Sequence, residues 1–253
     1  MKFGAQVYTI RNFCKTPEDF AVSMKKLADI GYEYVQISGI GPIPAQEVAD
    51  ICKANNLKII LTHTNPTKIK DDTATVIAEH KIMGATYVGI GAMPGDYRKD
   101  ADAVRQFITD FTPAAKMLED AGMKLMYHNH DFEFEKIEGK LLLDYLVDEF
   151  PQIGFTIDTY WVQAGGADPA AWLEKLAGRI DTIHYKDFVW RRGAEDKRYM
   201  GVVMEGNLNW PAIFAASQKA GAKYAFVEQD NCYGEDPFDC LTRSLNNLKE
   251  AFK

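Results

Sequence analysis

One local pattern recurs along this chain and limits its fold more than any other feature. A helical stretch ends at a glycine, a few residues follow, and a short apolar or β-branched run begins. This happens at Gly31, Gly84, Gly122, Gly178 and Gly221. Glycine readily adopts the left-handed backbone that ends a helix, and asparagine tolerates it too, so Asn55-Asn56 can act in the same way before residues 57–61. The pattern predicts helices and strands that alternate along the chain.

Eight such units account for all 253 residues. The predicted strands are short and almost continuously apolar, which is typical of a parallel sheet covered by helices. Eight units in about 250 residues match a closed (β/α)₈ or TIM barrel, here a single domain spanning residues 1–253. A doubly wound open sheet is the alternative, but it usually has fewer units and a glycine-rich first turn. The helices are predicted at 17–30, 44–54, 71–83, 102–121 (with Pro113 as a candidate break), 141–150, 168–176, 209–219 and 237–252.

Composition excludes several classes of partner. A net charge of −7 argues against a nucleic-acid-binding protein, which needs a basic face. No apolar run approaches the roughly 18 residues that span a bilayer, and the N-terminus lacks the features of a signal peptide. The four cysteines have no C-x-x-C spacing and are expected to be reduced thiols. We therefore expect a cytoplasmic protein with neither nucleic-acid nor membrane partners; the oligomeric state is left open, a homo-oligomer included.

Histidines cluster where the predicted strands end. Four of the five, His63, His128, His130 and His184, follow strands, whereas His80 lies on a helix and is expected at the solvent-exposed surface. In a barrel of this kind, the carboxyl ends of all strands converge on one mouth, where active sites lie. The clustering therefore predicts a catalytic mouth.

The last three strands end in metal-ligand residues at matching height: Asp158, His184 and Glu228. Two carboxylates and an imidazole suit one divalent ion, Mn²⁺, Mg²⁺, Fe²⁺, Co²⁺ or Zn²⁺. The alternative is a polar, hydrogen-bonded layer that caps the barrel core. Within 124–135, a short strand runs into His128, His130 and Glu133, a concentration of ionisable groups that packing alone does not explain.

Other residues near the strand ends are candidates for binding substrate. Lys186 has the same strand parity as His184, so its amine is expected in the mouth, where it would bind a substrate oxygen or stabilise an oxyanion. Its neighbour Asp187 belongs either to the site or to a surface ion pair. Trp161 follows Asp158 and either stacks on a sugar or packs between helix and loop. Substrate binding is further assigned to Tyr8, Gln36 and His63.

Five segments, residues 4–11, 127–134, 158–161, 184–187 and 227–230, carry a resemblance that covers essentially the whole chain. The chain resembles the xylose isomerase-like TIM-barrel superfamily, often called the sugar phosphate isomerase/epimerase family. Members such as ketose 3-epimerases and inosose isomerase-like proteins hold one divalent metal with residues from strands five to eight. The resemblance implies that Asp158, His184 and Glu228 are three of these ligands.

The fifth strand departs from that pattern, because the family's glutamate falls on His128. The chain thus looks closer to the branch of inosose dehydratase-like proteins and 3-keto-glycoside lyases. Either His128 or Glu133 would complete the ligand set. We prefer Glu133, because hard divalent ions favour oxygen. His128 and His130 are then left for proton transfer, with Lys186 as a third catalytic group.

The resemblance implies chemistry at a carbonyl. A metal acting as a Lewis acid and a histidine base would remove the proton α to the carbonyl of a sugar and leave an enediolate. The first hypothesis is a metal-dependent isomerase or epimerase acting on a sugar or sugar phosphate. The alternative is a lyase or dehydratase acting on a keto-sugar, keto-glycoside or keto-inositol. A third hypothesis is a non-catalytic sugar-binding subunit.

Overall fold

The protein closes eight parallel strands into a barrel, as a computed structural model describes it for residues 1–193 and 198–251. Each strand pairs with its neighbours in sequence, and the first pairs with the last, which confirms the predicted (β/α)₈ architecture. The barrel strands are β1 (Lys2–Gln6), β2 (Tyr34–Ile37), β3 (Lys58–Thr64), β4 (Tyr87–Ile90), β5 (Lys124–His128), β6 (Gly154–Asp158), β7 (Thr182–Tyr185) and β8 (Tyr224–Val227).

Helices cover the outside of the barrel, and their ends follow the residues that predicted them. Thr16 accepts a hydrogen bond from the Asp19 N–H and Pro17 occupies the first turn, as expected for a helix start. Gly31 ends that helix with a φ of 103°. The helices are α1 (Pro17–Ile30), α2 (Ala45–Ala54), α3 (Pro66–Asp71), α4 (Thr73–Met83), α5 (Ala101–Asp120), α6 (Leu142–Glu149), α7 (Thr159–Ala164), α8 (Pro169–Lys175), α9 (Trp210–Ala220) and α10 (Pro237–Ala251).

Several predicted boundaries differ from the observed ones. The third predicted helix, 71–83, corresponds to α4, which starts where the Asp72 side chain accepts from the Thr75 N–H. A separate short helix, α3, precedes it and was not predicted. Helix α5 continues through Pro113 without a break. A 3₁₀ helix, Val7–Phe13, follows β1, and α7 follows β6 directly. The predicted end of the last helix at Phe252 lies outside the described residues.

The barrel interior has a hydrophobic floor that supports the mouth. Five buried side chains from the strands form this floor: Tyr34, Leu61, Tyr87, Met126 and Phe226. Strand register sets what lies above it, since Asp158 pairs with His184 across β6 and β7. None of the helices within residues 1–193 and 198–251 is long and apolar enough to cross a membrane.

Asp187 organises the long connection between β7 and α9. The connection contains an antiparallel hairpin, Asp187–Trp190 with Arg198–Gly201. The Asp187 carboxylate is fully buried and accepts hydrogen bonds from the indole N–H of Trp210 and from the backbone N–H groups of Phe188, Met204, Gly206 and Leu208. The alternative of a surface ion pair is therefore wrong. Asp187 is instead a buried acceptor that fixes the loop following a strand of the mouth.

Replacing Asp187 with alanine is expected to destabilise the fold strongly. The change leaves several buried N–H groups without an acceptor, which costs about 3 kcal/mol or more of unfolding free energy. Urea unfolding of Asp187→Ala measures this loss. The matched control is Asp102→Ala, because the Asp102 side chain is 96% exposed. If both variants unfold at the same urea concentration, Asp187 does not have the role assigned to it.

Candidate metal centre and active-site mouth

Four ligand-type side chains meet at the carboxyl ends of the last four barrel strands. One ligand atom from each of His128, Asp158, His184 and Glu228 lies within 4.8 Å of the other three, and all four residues are buried. The structure thus brings together the three residues predicted from β6, β7 and β8. It adds His128 from β5.

Both imidazoles are held with one nitrogen facing the carboxylates. His184 Nε2 lies 2.7 Å from the Gln36 side-chain oxygen, and its Nδ1 lies 2.9 Å from Glu228 Oε2. His128 Nδ1 lies 2.9 Å from the Gly91 carbonyl oxygen, and its Nε2 lies 3.3 Å from Asp158 Oδ2. In the neutral form of each ring, the outer N–H donates to oxygen and the inner nitrogen keeps a lone pair. Histidines that bind metals are usually oriented by such a second partner.

The donor set and its charge fit a divalent cation. The Nε2 N–H of His184 donates to Gln36, so the neutral form of this ring presents an Nδ1 lone pair toward Glu228 Oε2, 2.9 Å away. The buried carboxylates of Asp158 and Glu228, together with Asp230, face one ammonium, that of Lys186. With His184 neutral, three negative charges against one positive charge leave an excess of two. Without a metal, protonation of His184 offsets part of that excess, because the carboxylates raise its pKa to about 9. One divalent ion would neutralise that excess and bind the nitrogen and oxygen lone pairs that face one another. Several divalent ions accept such mixed nitrogen and oxygen ligands.

The same charges shift the pKa values of the groups in the site. Burial lowers the pKa of His184, but the carboxylates of Glu228 and Asp158 outweigh it and raise that pKa to about 9. Burial raises the pKa of Asp158 and of Glu228, but the Lys186 ammonium and the imidazoles hold both well below their ordinary range. Both carboxylates are therefore charged at neutral pH and available as ligands.

Glu133 does not belong to this group, and the preference for it as the fifth-strand ligand is corrected. A 3₁₀ turn, Phe132–Phe134, directs its side chain toward Tyr127 rather than toward the mouth. Its carboxylate accepts from the Tyr127 hydroxyl at 2.6 Å and from the His130 N–H at 2.7 Å. Glu133 therefore fixes the backbone that carries His130. His128 takes the place in the candidate ligand set.

Stability is expected to depend on pH through Glu133. Burial, only partly offset by the hydrogen bonds from Tyr127 and His130, raises its pKa from 4.5 to about 7. Between these values the folded state binds more protons than the unfolded state, so stability falls as pH rises. Relative to Glu133→Gln, which does not titrate, the parent should lose about 3 kcal/mol between about pH 4.5 and pH 8. Urea unfolding in chelator measures both proteins; a difference that is constant with pH would contradict the assignment.

Lys186 links the metal centre to an acidic residue that the sequence analysis did not select. Its buried Nζ lies 2.7 Å from Asp230 Oδ2 and 3.5 Å from both Asp158 Oδ2 and Glu228 Oε2. Burial lowers the pKa of Lys186, but these carboxylates outweigh it and raise it above its ordinary value. Lys186 is therefore an ammonium in the mouth, as its strand parity predicted. The signal for Asp230 was available, since it lies two residues after Glu228 and so shares its parity.

Gln36 hydrogen-bonds to His184 and does not face the cavity where a substrate would bind. It is fully buried, and its side-chain oxygen accepts from His184 Nε2. It does not line the mouth cavity, so its predicted role in substrate binding is corrected to that of a residue that orients a candidate ligand.

Removing the Gln36 amide is expected to weaken metal binding. Gln36→Leu leaves His184 free to change tautomer or rotate, and loss of such a partner typically costs 10–100-fold, so we expect about 30-fold weaker Mn²⁺ binding. Competition with a fluorescent chelator measures this affinity. Gln6→Leu is the control, because Gln6 is an equally buried glutamine on the adjacent strand whose side-chain oxygen accepts from the Tyr8 N–H instead of from His184. Equal affinities in the two variants would remove Gln36 from the centre.

A cavity of about 230 Å³ opens above the candidate metal centre and forms the mouth. Tyr8, His63, His130, Trp161 and Lys186 were all predicted for this position and lie on its wall. The residues that define this mouth cavity are Tyr8, Ser38, His63, Gly91, Ala92, His128, His130, Trp161, Lys186, Glu228 and Asp230.

Two imidazoles in the mouth cavity are neutral and each has an unpartnered nitrogen. His63 Nε2 and His130 Nδ1 are buried and have no hydrogen-bond partner among the described residues. Burial, helped by the neighbouring His128, lowers the pKa of His130 to about 3 and that of His63 well below its ordinary value. Both rings lie against His128, with centroid distances of 5.0 Å for His63 and 4.8 Å for His130. Neutral bases therefore adjoin the candidate ligands.

His80 is buried, contrary to the prediction of a solvent-exposed residue. Its Nε2 lies 2.8 Å from the Thr62 hydroxyl and its Nδ1 lies 2.7 Å from the Val76 carbonyl oxygen. The face of α4 that carries His80 packs on β3, which its helical position alone did not reveal. His80 is thus a hydrogen-bonded core residue outside the mouth.

Comparisons with known proteins agree with this fold. The chain aligns with a sugar phosphate isomerase/epimerase from Parabacteroides distasonis at a TM-score of 0.84 and 21% identity, covering 99% of this chain and 94% of that one. A probable 3-DHS dehydratase from Bacillus anthracis aligns at 0.74 and 14% identity over 98% and 99% of the two chains. A D-allulose 3-epimerase from Methylomonas sp., in complex with D-allulose, aligns at 0.74 and 15% identity over 99% and 96%.

The comparison of sequences gives the family. No curated protein matches the sequence. A family model described as a xylose isomerase-like TIM barrel matches residues 24–250, which include all four candidate ligands. The chain therefore belongs to the family of xylose isomerase-like TIM barrels.

Proposed function

We propose that this protein is a metal-dependent isomerase or epimerase that removes the proton α to the carbonyl of a sugar. The observation that carries the proposal is the juxtaposition of a buried donor set for a divalent ion with two unpartnered, neutral imidazoles in one cavity. The structural neighbours named as a sugar phosphate isomerase/epimerase and as a D-allulose 3-epimerase support it. The proposed substrate is a small carbohydrate, and the proposed location is the cytoplasm.

His130 and His63 are the proposed proton-transfer groups. Each is neutral at physiological pH and each has a free nitrogen in the mouth cavity. Epimerisation removes a proton from one face of a carbon and delivers one to the other face. One imidazole would accept the first proton, and the second, after taking a proton from solvent beside the anionic enediolate, would deliver the other. Trp161, whose ring lies 5.2 Å from that of His130, would pack against the sugar and help to exclude water.

His128, Asp158, His184 and Glu228 are the proposed ligands of the ion. When bound, a divalent ion supplies Lewis acidity, which makes the proton α to a carbonyl easier to remove. The Lys186 ammonium would stabilise negative charge that develops on the substrate oxygen, because it is fixed in a buried, water-poor position. In this proposal His128 is a ligand, and its earlier assignment to proton transfer passes to His63.

Hydrogen exchange tests the proposal directly. The protein loaded with Mn²⁺ is incubated in deuterated water with a panel of ketoses and keto-sugars, with and without phosphate, and the carbon-bound hydrogens are followed by NMR. We expect deuterium to enter the position α to the carbonyl of at least one sugar, together with an isomer or epimer. No exchange in any sugar, with the metal bound, would contradict the proposal.

A carbon–oxygen lyase or dehydratase acting on a keto-sugar is the second candidate. The observation that favours it is the Lys186 ammonium on the wall of the mouth cavity, which could hydrogen-bond a departing oxygen and stabilise its negative charge. The neighbour named as a probable 3-DHS dehydratase supports it. In the same experiment, loss of water or of a glycosyl group with a new ultraviolet-absorbing enone identifies the lyase. A non-catalytic sugar-binding subunit would bind a sugar without exchange or elimination.

A further inference from the structure

Two of the strand pairings in the barrel end close to the candidate ligands. The hydrogen-bonded ladder between β5 and β6 ends at His128 and Thr156, and the ladder between β6 and β7 ends at Asp158 and His184. The backbone N–H of Asp158 lies beyond the first ladder, and that of Lys186 lies beyond the second. Because buried N–H groups need an acceptor, side chains must supply what the strands no longer provide.

Thr159 supplies the partner beyond the ladder of β6 and β7. It directly follows Asp158, is fully buried and begins α7. Its hydroxyl oxygen accepts from the Lys186 N–H at 3.1 Å and donates to the Lys186 carbonyl oxygen at 2.8 Å, with the His184 carbonyl oxygen as a second acceptor at 3.2 Å. One hydroxyl group therefore holds the backbone that carries both a candidate ligand and the ammonium of the mouth.

The direct change from strand to helix gives Asp158 and Thr159 different partners. Strand β6 ends at Asp158 and α7 begins at Thr159, with no loop residue between them. Neighbouring side chains at a strand end point to opposite sides. The Asp158 carboxylate faces His184 and the Lys186 ammonium, whereas the Thr159 hydroxyl contacts the backbone at the end of β7. Both side chains thus act on the same two residues of β7 and its end, one from the mouth and one from behind.

The same arrangement occurs between β5 and β6, where Asn129 directly follows His128. Asn129 is buried, its side-chain oxygen accepts from the Asp158 N–H at 2.9 Å, and its Nδ2 donates to the His130 carbonyl oxygen at 3.3 Å. In two consecutive places, then, the residue after a candidate ligand holds the end of the next strand. Asn129 and Thr159 together join β5, β6 and β7 where three of the four candidate ligands lie.

We infer that Thr159 is a positioning residue of the candidate metal centre and acts through His184 and Lys186. Its hydroxyl holds the His184 backbone at the separation from Asp158 that lets both side chains reach one ion, and it holds the Lys186 ammonium beside them. Thr159 does not line the mouth cavity, so it would not touch a substrate. This inference rests on the proposed function, since it concerns the ion that this function requires.

Thr159→Val tests this role, because valine has nearly the shape of threonine and lacks its hydroxyl. Mn²⁺ affinity is measured by competition with a fluorescent chelator, and the visible absorption bands of bound Co²⁺ are recorded with the site saturated. Partners that orient metal ligands typically contribute 10–100-fold to affinity, so we expect Mn²⁺ to bind about tenfold more weakly. The Co²⁺ bands should shift, because they depend on the arrangement of the ligands. A hydroxyl that only stabilised the fold would leave both measurements on folded protein unchanged.

The matched control is Thr73→Val. Thr73 is also a buried threonine at the start of a helix, and its hydroxyl donates to the Ile69 carbonyl oxygen at 2.7 Å, outside the mouth cavity. Because it is remote from the candidate ligands, Mn²⁺ affinity should stay within about twofold of the parent and the Co²⁺ bands should not move.

A second pair of variants isolates the hydroxyl even if Thr159→Val does not fold. Thr159→Ser and Thr159→Ala both lose the methyl group and differ only in the hydroxyl. We expect Thr159→Ser to bind Mn²⁺ about tenfold more tightly than Thr159→Ala and to keep the Co²⁺ bands of the parent. Equal affinities and equal bands in this pair would overturn the inference, as would a Thr159→Val protein that matches the parent in both measurements.

Deuterium exchange into the sugar panel, measured on the same proteins, separates this inference from the proposed function. A parent that binds Mn²⁺ more tightly than Thr159→Ala but exchanges no sugar would refute the enzyme proposal and retain the role of Thr159. Exchange in the parent with equal Mn²⁺ affinities in Thr159→Ser and Thr159→Ala would do the reverse. A parent that binds no Mn²⁺ would refute both.

Discussion

Asp158→Asn is expected to abolish tight metal binding and to lower turnover by about 10³-fold or more, because the Lewis acidity of an ion accounts for several kcal/mol of the barrier. Asp158 Oδ2 faces His128, His184 and Lys186, so the lost charge lies at the centre of the donor set. Asparagine retains the side-chain oxygen that accepts from the Trp161 N–H and starts α7. The fold should therefore persist while the site loses its ion.

The control for this variant is Asp168→Asn. Asp168 also starts a helix, α8, by accepting from a backbone N–H, but it lies outside the mouth cavity. Metal content by mass spectrometry and the rate of deuterium exchange are measured for both variants. Full metal content and normal exchange in Asp158→Asn would show that the proposed ion is not bound here.

Lys186→Met is expected to produce the second large effect, and the effect should depend on metal. Without the ammonium, the buried carboxylates of Asp158 and Glu228 and the partly buried carboxylate of Asp230 repel one another. Breaking such a network costs about 3–5 kcal/mol of unfolding free energy in metal-free protein. Mn²⁺ should recover part of this loss by replacing the positive charge. The rate of deuterium exchange into the sugar should still fall about 10²-fold or more, because the variant lacks the fixed ammonium that stabilises negative charge on the substrate oxygen.

Two variants separate the role of Lys186 from a general effect of lysine removal. Lys186→Arg retains the positive charge and should keep most of the stability. Lys223→Met removes a lysine that pairs with Asp181 at the opposite end of the barrel and should leave exchange unchanged. Guanidinium unfolding with and without Mn²⁺ measures the stabilities. A Lys186→Met protein as stable and as active as the Lys223→Met protein would contradict the assigned role.

The barrel and three of the four candidate ligands could be predicted from the sequence because both depend on local patterns. Glycines such as Gly31 and Gly84 do end helices in the left-handed conformation. Once a closed parallel barrel is assumed, the carboxyl ends of its strands must share one rim, which places Asp158, His184 and Glu228 together. The alternation of side chains along a strand was also sufficient to predict that Lys186 points into the mouth.

Choices that depend on a partner distant in sequence could not be predicted in this way. The direction of Glu133 follows from its bond to Tyr127, and the burial of His80 follows from its bond to Thr62 on another element. Gln36 and His184 are 148 residues apart, so their hydrogen bond has no local signature. Asp187 was ambiguous for the same reason, because its donors lie on the far side of the loop that it organises.

The central claim is that His128, and not Glu133, completes a divalent-metal site with Asp158, His184 and Glu228. A crystal structure of the protein grown with Mn²⁺, with anomalous scattering measured at the manganese edge, tests it most directly. The account predicts one anomalous peak bonded to His128 Nε2, His184 Nδ1 and the carboxylates of Asp158 and Glu228. A peak bonded to Glu133 would contradict it. Crystals of Mn²⁺-treated protein with no anomalous peak in the mouth would contradict it as well.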